Sequence, residues 1–126
     1  MRTIVSTTNA PAAIGPYSQA TVHNGVIYVS GQLATCPVTN ELYTGGDIAQ
    51  ETHQVMKNIA AIVEAAGSSM DNMLKCTVLL TDIGNFAQVN EVYAGYFKGS
   101  PPARICYEVC ALPRGAHVEI DAICAV

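Results

Sequence analysis

The chain has 126 residues, a length that suits one domain of ordinary size. Half of its residues are hydrophobic and only 13% are charged, against roughly 25% in an average soluble protein, so we expect copies of the chain to cover part of one another's surface. Six basic and ten acidic residues give a net charge of -4, which argues against nonspecific binding to nucleic acid or to an anionic membrane.

Two strands are predicted in the N-terminal third of the chain. Residues 25–31 form an apolar run bounded by glycine, and residues 19–23 are its predicted partner in a hairpin that turns at Asn24-Gly25. Residues 36–46 contain proline, threonine, asparagine and paired glycine, a composition that predicts a loop.

A long helix is predicted after this loop. Asp47 is its predicted N-cap, with Gln50 placed for a capping-box contact, and Gly67 is its predicted left-handed C-cap. The apolar stripe expected to face the core comprises Ile48, Val55, Met56, Ile59, Ile62, Val63 and Ala66.

A strand and a second helix are predicted next. Apolar residues alternate with polar ones from Leu74 to Leu80, which predicts a strand. Asn85 is the predicted N-cap of the second helix, which ends before Gly99. The stripe of this helix comprises Phe86, Val89, Tyr93 and Phe97.

Two more strands complete the predicted fold. They cover residues 104–112 and 117–126 and are predicted to pair as a hairpin across the turn Pro113-Arg114-Gly115. The order of all elements predicts an α+β fold, a two-layer sandwich in which two helices lie on one face of a mixed sheet. No linker interrupts the chain, so residues 1–126 are predicted to form a single domain.

Charged residues alternate along this last pair of strands. Arg104 and Cys106 share one face of the first strand, and Glu119 shares one face of the second with His117 and Asp121. Cross-strand salt bridges on a solvated face would explain the pattern. Alternatively, a guanidinium stiffened by the two prolines before it is suited to a carboxylate or phosphate ligand.

The cysteines and histidines limit the chemistry. The five cysteines are irregularly spaced and include no C-x-x-C pair, which indicates free thiols in a reducing compartment, with Cys76 and Cys124 in the core. The three histidines have no ligand spacing, so no metal is expected. Neither a membrane-spanning run nor a signal peptide is present, which predicts a cytoplasmic protein.

Several short motifs follow one another along nearly the whole chain. They are Gly15-Pro16-Tyr17-Ser18-Gln19-Ala20, Val29-Ser30-Gly31-Gln32, Thr81-Asp82 with Asn90-Glu91-Val92-Tyr93, and Pro102 to Val109 with Leu112-Pro113 and Val118 to Ala122. In this order they resemble the reactive intermediate deaminase family (RidA, also called YjgF-type).

This resemblance implies a chorismate-mutase-like fold that assembles as a homotrimer with active sites between subunits. It also implies cofactor-independent hydrolysis of reactive 2-imino acids or enamines, such as 2-iminobutanoate and 2-iminopropanoate released by pyridoxal-phosphate enzymes, to 2-oxo acids and ammonia. Arg104 would bind the substrate carboxylate, Glu119 would orient a water and shuttle its proton, and Tyr17 would donate from its hydroxyl. Ser30, Gly31 and Cys106 would line the pocket.

Other functions stay open at this point. A non-enzymatic trimer could bind metabolites, or act as a chaperone, in the same clefts. RNA cleavage has also been attached to this family, but the six basic residues form no patch with interleaved aromatic side chains. Ile105 stands where the family commonly has a smaller residue, and it would narrow the substrate range if it crowded the cleft. Cys106 is a possible nucleophile, although imine hydrolysis needs no covalent step.

Overall fold

The computed structural model describes residues 1–126 and has a six-stranded mixed sheet at its centre, in the order β1-β2-β3-β6-β4-β5. All neighbouring strands are antiparallel except β4 and β5, which are parallel. The strands are β1 (Thr3–Val5), β2 (Ala20–His23), β3 (Val26–Gln32), β4 (Met73–Leu80), β5 (Ala103–Glu108) and β6 (Val118–Ala125).

Two helices cover one face of this sheet, as the α+β prediction requires. Helix α1 (Ile48–Ala65) connects β3 to β4, and helix α2 (Phe86–Ala94) connects β4 to β5. The side chains of both helices and of one sheet face form a single core cluster of 22 buried residues. Neither helix combines the length and apolar character that a bilayer crossing needs.

The predicted ends of α1 are confirmed. The Asp47 carboxylate accepts hydrogen bonds from the backbone N–H groups of Ala49 and Gln50, at 3.0 and 3.4 Å. Gln50 therefore contributes its backbone rather than its side chain, and the predicted capping-box contact is not formed. Gly67 follows the helix with φ +87°, a left-handed conformation that glycine adopts without a steric penalty.

The first hairpin is also confirmed, and one strand was missed. Strands β2 and β3 turn at Asn24 and Gly25, whose φ angles of 50° and 75° fit the tight turn favoured in hairpins. Strand β1 pairs with β2 at the edge of the sheet. It has three residues, which is too short to produce a recognisable alternation.

The predicted hairpin between the last two strands is wrong. Strand β4 lies between β5 and β6, so Cys76 pairs with Arg104 on one side and with Ala122 on the other. The reason is the α2 crossover, which returns β5 parallel to β4 at the outer edge of the sheet. Strand β5 also ends at Glu108, before the predicted Leu112.

Three smaller predictions also need correction. Helix α2 ends at Ala94 rather than near Phe97. Asn85 occupies the N-cap position, but its side chain makes no capping hydrogen bond. In β4, Cys76, Val78 and Leu80 are buried as predicted, but Leu74 is 47% exposed and Met73 is buried instead, because the register shifts between Met73 and Lys75.

The sheet face away from the helices carries large apolar side chains. Ile4, Tyr28, Ile105 and Tyr107 are between 46% and 50% exposed there. Exposed large apolar side chains on one face are a feature of interaction surfaces. We call this surface the open face of the sheet.

Candidate active site

The predicted site residues fall into two groups on opposite faces of the sheet. Tyr17, Ser30, Gly31 and Glu119 line one cavity of about 720 Å³, which we call the Glu119 cavity. Arg104 lies on the other side, because its partner Cys76 is fully buried under the helices. One chain therefore does not bring the arginine and the carboxylate together.

Glu119 is a half-buried carboxylate packed against a glycine. A Cβ atom at Gly31 would lie 2.5 Å from Oε2 of Glu119, so only glycine leaves room for this side-chain position. Burial raises the pKa of Glu119 above its usual range, and the nearby charge of Asp121 raises it further. A carboxylate with a raised pKa is suited to accept and return a proton near neutral pH.

An irregularity in β3 creates the space under Glu119. The pairing of β3 with β6 is regular as far as Val29↔Ala122 and resumes only at Gln32↔Ile120. The extra residue between these pairs is a β-bulge, which breaks the ladder beside Gly31. The bulge exposes the backbone of Gly31 to the Glu119 cavity.

Ser30 holds the loop that carries Tyr17. Its Oγ donates to the backbone oxygen of Ser18 at 2.6 Å, and its N–H donates to the backbone oxygen of Gln19 at 3.0 Å. Tyr17 is 51% exposed at the edge of the Glu119 cavity. The Ser30 hydroxyl thus supports the wall of the cavity and already has a partner within the chain.

Gln19 is a site-building residue that sequence reasoning did not single out. Its buried amide donates to the backbone oxygens of Thr7, Ala10 and Pro11, and its Oε1 accepts from the N–H of Thr7. Pro11 lines the Glu119 cavity. The available signal was the place of Gln19 in the first motif, two residues after Tyr17.

Asn58 is a second residue of this kind. Its Nδ2 donates to the backbone oxygens of Leu33 and Thr35, at 3.1 and 2.9 Å. Both of these residues line the Glu119 cavity. The available signal was the position of Asn58 within the apolar stripe of α1, where a buried amide needs hydrogen-bond partners.

Arg104 is held by three residues of α2, which we call the Arg104 clamp. Its Nη1 donates to Oδ1 of Asn90 at 2.5 Å. Its guanidinium carbon lies 5.4 Å from the ring centre of Phe86 and 5.2 Å from that of Tyr93. These cation–π contacts and the hydrogen bond fix the guanidinium while other N–H groups stay available for a ligand.

Cys106 lies two residues after Arg104 on the same face of β5 and is partly buried. Burial raises the pKa of this thiol, an effect that the positive charge of Arg104 opposes. A raised pKa disfavours the nucleophilic thiolate. No cluster of three or more histidine, cysteine, aspartate or glutamate side chains could hold a metal ion.

The chain matches known proteins along nearly its full length. The model of the endoribonuclease L-PSP family matches residues 7–126. A mouse 2-iminobutanoate/2-iminopropanoate deaminase is 51% identical over 123 residues, which cover 98% of this chain and 90% of the mouse protein.

Solved structures agree with this match. The Rid family protein YyfA of Yersinia pestis is 49% identical, with a TM-score of 0.96 and full coverage of both chains. The structure of Escherichia coli TdcF with bound serine is 37% identical, with a TM-score of 0.93 and 98% coverage of both chains. The chain belongs to the endoribonuclease L-PSP family, the RidA or YjgF-type family that its motifs resemble.

Proposed function

We propose that this protein is a cofactor-independent deaminase that hydrolyses small reactive 2-imino acids, or their enamine tautomers, to 2-oxo acids and ammonia. The observation that carries the proposal is the raised-pKa carboxylate of Glu119 over Gly31 in an open cavity. The identity of about half the residues to the mouse deaminase supports the same reaction. TdcF binds serine, which carries the carboxylate expected of a 2-imino acid.

The active site in this proposal is composite. Three copies of the chain, each a single domain with the chorismate-mutase-like arrangement, pack through the open faces of their sheets. The exposed Ile105 and Tyr107 would be buried there, so Ile105 contacts a neighbouring subunit rather than narrowing the pocket. Packing of this kind places the Arg104 clamp of one subunit beside the Glu119 cavity of the next.

The catalytic steps use the residues in these two places. The partner subunit's Arg104 donates two parallel hydrogen bonds to the substrate carboxylate. Glu119 takes a proton from water while the water oxygen bonds to the C=N carbon, which the iminium charge makes electrophilic. Glu119 returns that proton to the nitrogen, the C–N bond breaks, and ammonia takes up the hydroxyl proton as the 2-oxo acid forms.

The remaining site residues have supporting roles in this scheme. The Tyr17 hydroxyl is a further hydrogen-bond donor at the cavity, and Gly31 offers its backbone. Cys106 shapes the pocket beside Arg104 without forming a covalent bond. The five free thiols suit a cytoplasmic location, where thiols stay reduced.

The activity is tested by supplying threonine dehydratase with threonine and following the loss of 2-iminobutanoate. We expect the protein to accelerate this loss with many turnovers per subunit, at concentrations far below that of the imine. Binding of one imine per site without turnover would instead support a metabolite-binding or chaperone-like protein. RNA cleavage with strongly salt-dependent RNA binding would support the nuclease activity that the family description names.

The composite site is tested by mixing two inactive variants. In a cyclic trimer, every mixed assembly of Arg104→Ala and Glu119→Gln subunits has one intact site. Random mixing should therefore restore about a quarter of the wild-type activity per subunit. Mixing without any gain, although the subunits exchange, would place both residues of each site in one chain. Sedimentation equilibrium supplies the mass, which should equal three chains.

A further inference from the structure

A buried carboxylate on α1 makes all of its hydrogen bonds to the start of β6. Glu51 is 1% exposed. Its Oε2 accepts from the backbone N–H groups of His117 and Val118, at 2.8 and 3.1 Å. Its Oε1 contacts the ring Nδ1 of His117 at 2.9 Å. A buried carboxylate is costly unless it is well hydrogen-bonded, and here every partner belongs to the two residues before Glu119.

This end of β6 needs such support because β3 no longer accompanies it. The last pair between β3 and β6 is Gln32↔Ile120, so Val118 and Glu119 pair only with β4. The β-bulge that makes room under Glu119 thus also removes a neighbouring strand. The Glu51 carboxylate supplies the acceptor for the N–H groups of His117 and Val118.

The position of Glu119 has little tolerance for movement of this strand end. Its carboxylate already occupies space beside Gly31 in which a Cβ atom of residue 31 would lie 2.5 Å from Oε2. A general base must be held within about 0.5 Å of its productive position to work efficiently. Glu51 itself does not line the Glu119 cavity, so it does not reach the substrate.

We propose that Glu51 is a positioning residue for Glu119: it fixes the first residues of β6 and thereby places the carboxylate over Gly31. The inference rests on the proposed deaminase function, because Glu119 is the base in that scheme. Glu51 belongs to the helix layer of the fold, and its effect reaches Glu119 through the backbone of His117 and Val118.

The first test is Glu51→Gln, which keeps the shape but removes the negative charge that strengthens the hydrogen bonds from the N–H groups of His117 and Val118. We expect kcat to fall on the order of 10-fold, since small displacements of catalytic groups have effects of this size or larger. The KM should change less than about twofold, because the Arg104 clamp is on another part of the fold. The matched control is Glu64→Gln, the same change at an exposed position of α1, which should leave kcat unchanged.

A double-mutant cycle with Glu119→Gln separates positioning from a general loss of stability. If Glu51 acts through Glu119, Glu51→Gln should cause little further loss once Glu119 has lost its carboxylate. The same fold-loss in both backgrounds would overturn the inference and leave the proposed function intact. Full activity of the Glu119→Gln single variant would instead overturn the base assignment itself.

Hydrogen exchange gives a readout that does not depend on activity, which matters if the variant assembles poorly. In the wild-type protein, the Val118 amide should be protected through its bond to Glu51. Glu51→Gln, or the milder Glu51→Asp, should accelerate exchange at Val118 while leaving Ala122, in the middle of β6, unchanged. Equal acceleration at both amides would show loosening of the whole sheet and contradict a local role.

Discussion

The carboxylate of Glu119 lies so close to the α-carbon of Gly31 that a methyl group on residue 31 would come within 2.5 Å of Oε2. The space that a side chain at residue 31 would fill is therefore occupied by the Glu119 carboxylate. Because the carboxylate is the flexible end of a side chain, it can move away when this space is filled. Function is then affected more than folding.

Gly31→Ala should lower kcat by at least about 10-fold, since the added methyl group displaces the general base. The free energy of unfolding should change little. Gly99→Ala is the matched control, because no atom lies within 4 Å of a Cβ at that position. Wild-type kcat in a correctly assembled Gly31→Ala protein would show that the position of Glu119 over Gly31 is not used in catalysis.

Glu119→Gln should reduce kcat on the order of 10² to 10⁴-fold, the usual range for removal of a general base. Glutamine can still orient a water, but it cannot take its proton. Affinity for a 2-oxo acid product should change only modestly, since Arg104 is untouched. The role of Glu119 is decided by measuring kcat, corrected for spontaneous imine hydrolysis at each pH, and the affinity for the 2-oxo acid. Retention of more than about a third of the rate would show that Glu119 orients the water without acting as its base.

Asp121→Asn should shift the acid limb of the kcat profile to lower pH. Asp121 raises the pKa of Glu119 through its negative charge, and the base is active in its ionised form. Removing the charge lowers that pKa, so the carboxylate stays ionised to lower pH. Asp121 accepts a hydrogen bond from the N–H of Thr77 at 3.1 Å, and the amide oxygen of asparagine can accept the same bond. An unmoved acid limb would contradict this coupling.

Arg104→Ala should cost at least about 2–4 kcal/mol of transition-state stabilisation, as truncation of a buried charged contact usually does. Arg104→Lys should lose most of the activity as well, because lysine keeps the charge but not the planar fork. Asn90→Ala should cause a smaller loss, since the two aromatic rings of the Arg104 clamp remain. Near-wild-type turnover of a correctly assembled Arg104→Ala protein would show that the carboxylate binds elsewhere.

Cys106→Ala should retain most of the activity. The thiol is partly buried and its pKa is raised, so it carries little thiolate at neutral pH. Inactivation by a bulky thiol reagent is compatible with this expectation, since the adduct would block the pocket. A correctly assembled Cys106→Ala protein without detectable turnover would indicate covalent catalysis.

The local patterns in the sequence were sufficient for most of the fold. Periodicity and capping residues located both helices, and Asn24-Gly25 located the first hairpin. The predicted pairing of β5 with β6 was wrong, because a turn signal such as Pro113-Arg114-Gly115 does not reveal which strands are neighbours in the sheet. The parallel position of β5 depends on how α2 packs on the sheet, which is a property of the tertiary structure.

The candidate site shows the same division. The motifs supplied the residues Arg104 and Glu119, but strand alternation could not show that they lie on opposite faces of one sheet. Sequence reasoning also passed over polar residues that support the site from within the core. Gln19, Glu51 and Asn58 are buried and bind backbone groups, and their partners are distant in the sequence.

The sheet order has a further consequence for how the protein tolerates change. Strand β6, which carries Glu119, is paired on both sides, whereas β5, which carries Arg104, is an edge strand with one paired neighbour. Edge strands open locally at a lower free-energy cost than central ones. In the proposed scheme, substrate recognition thus depends on the more labile strand and proton transfer on the more rigid one. Mutations that destabilise the sheet should therefore loosen β5 and weaken carboxylate binding before they displace Glu119.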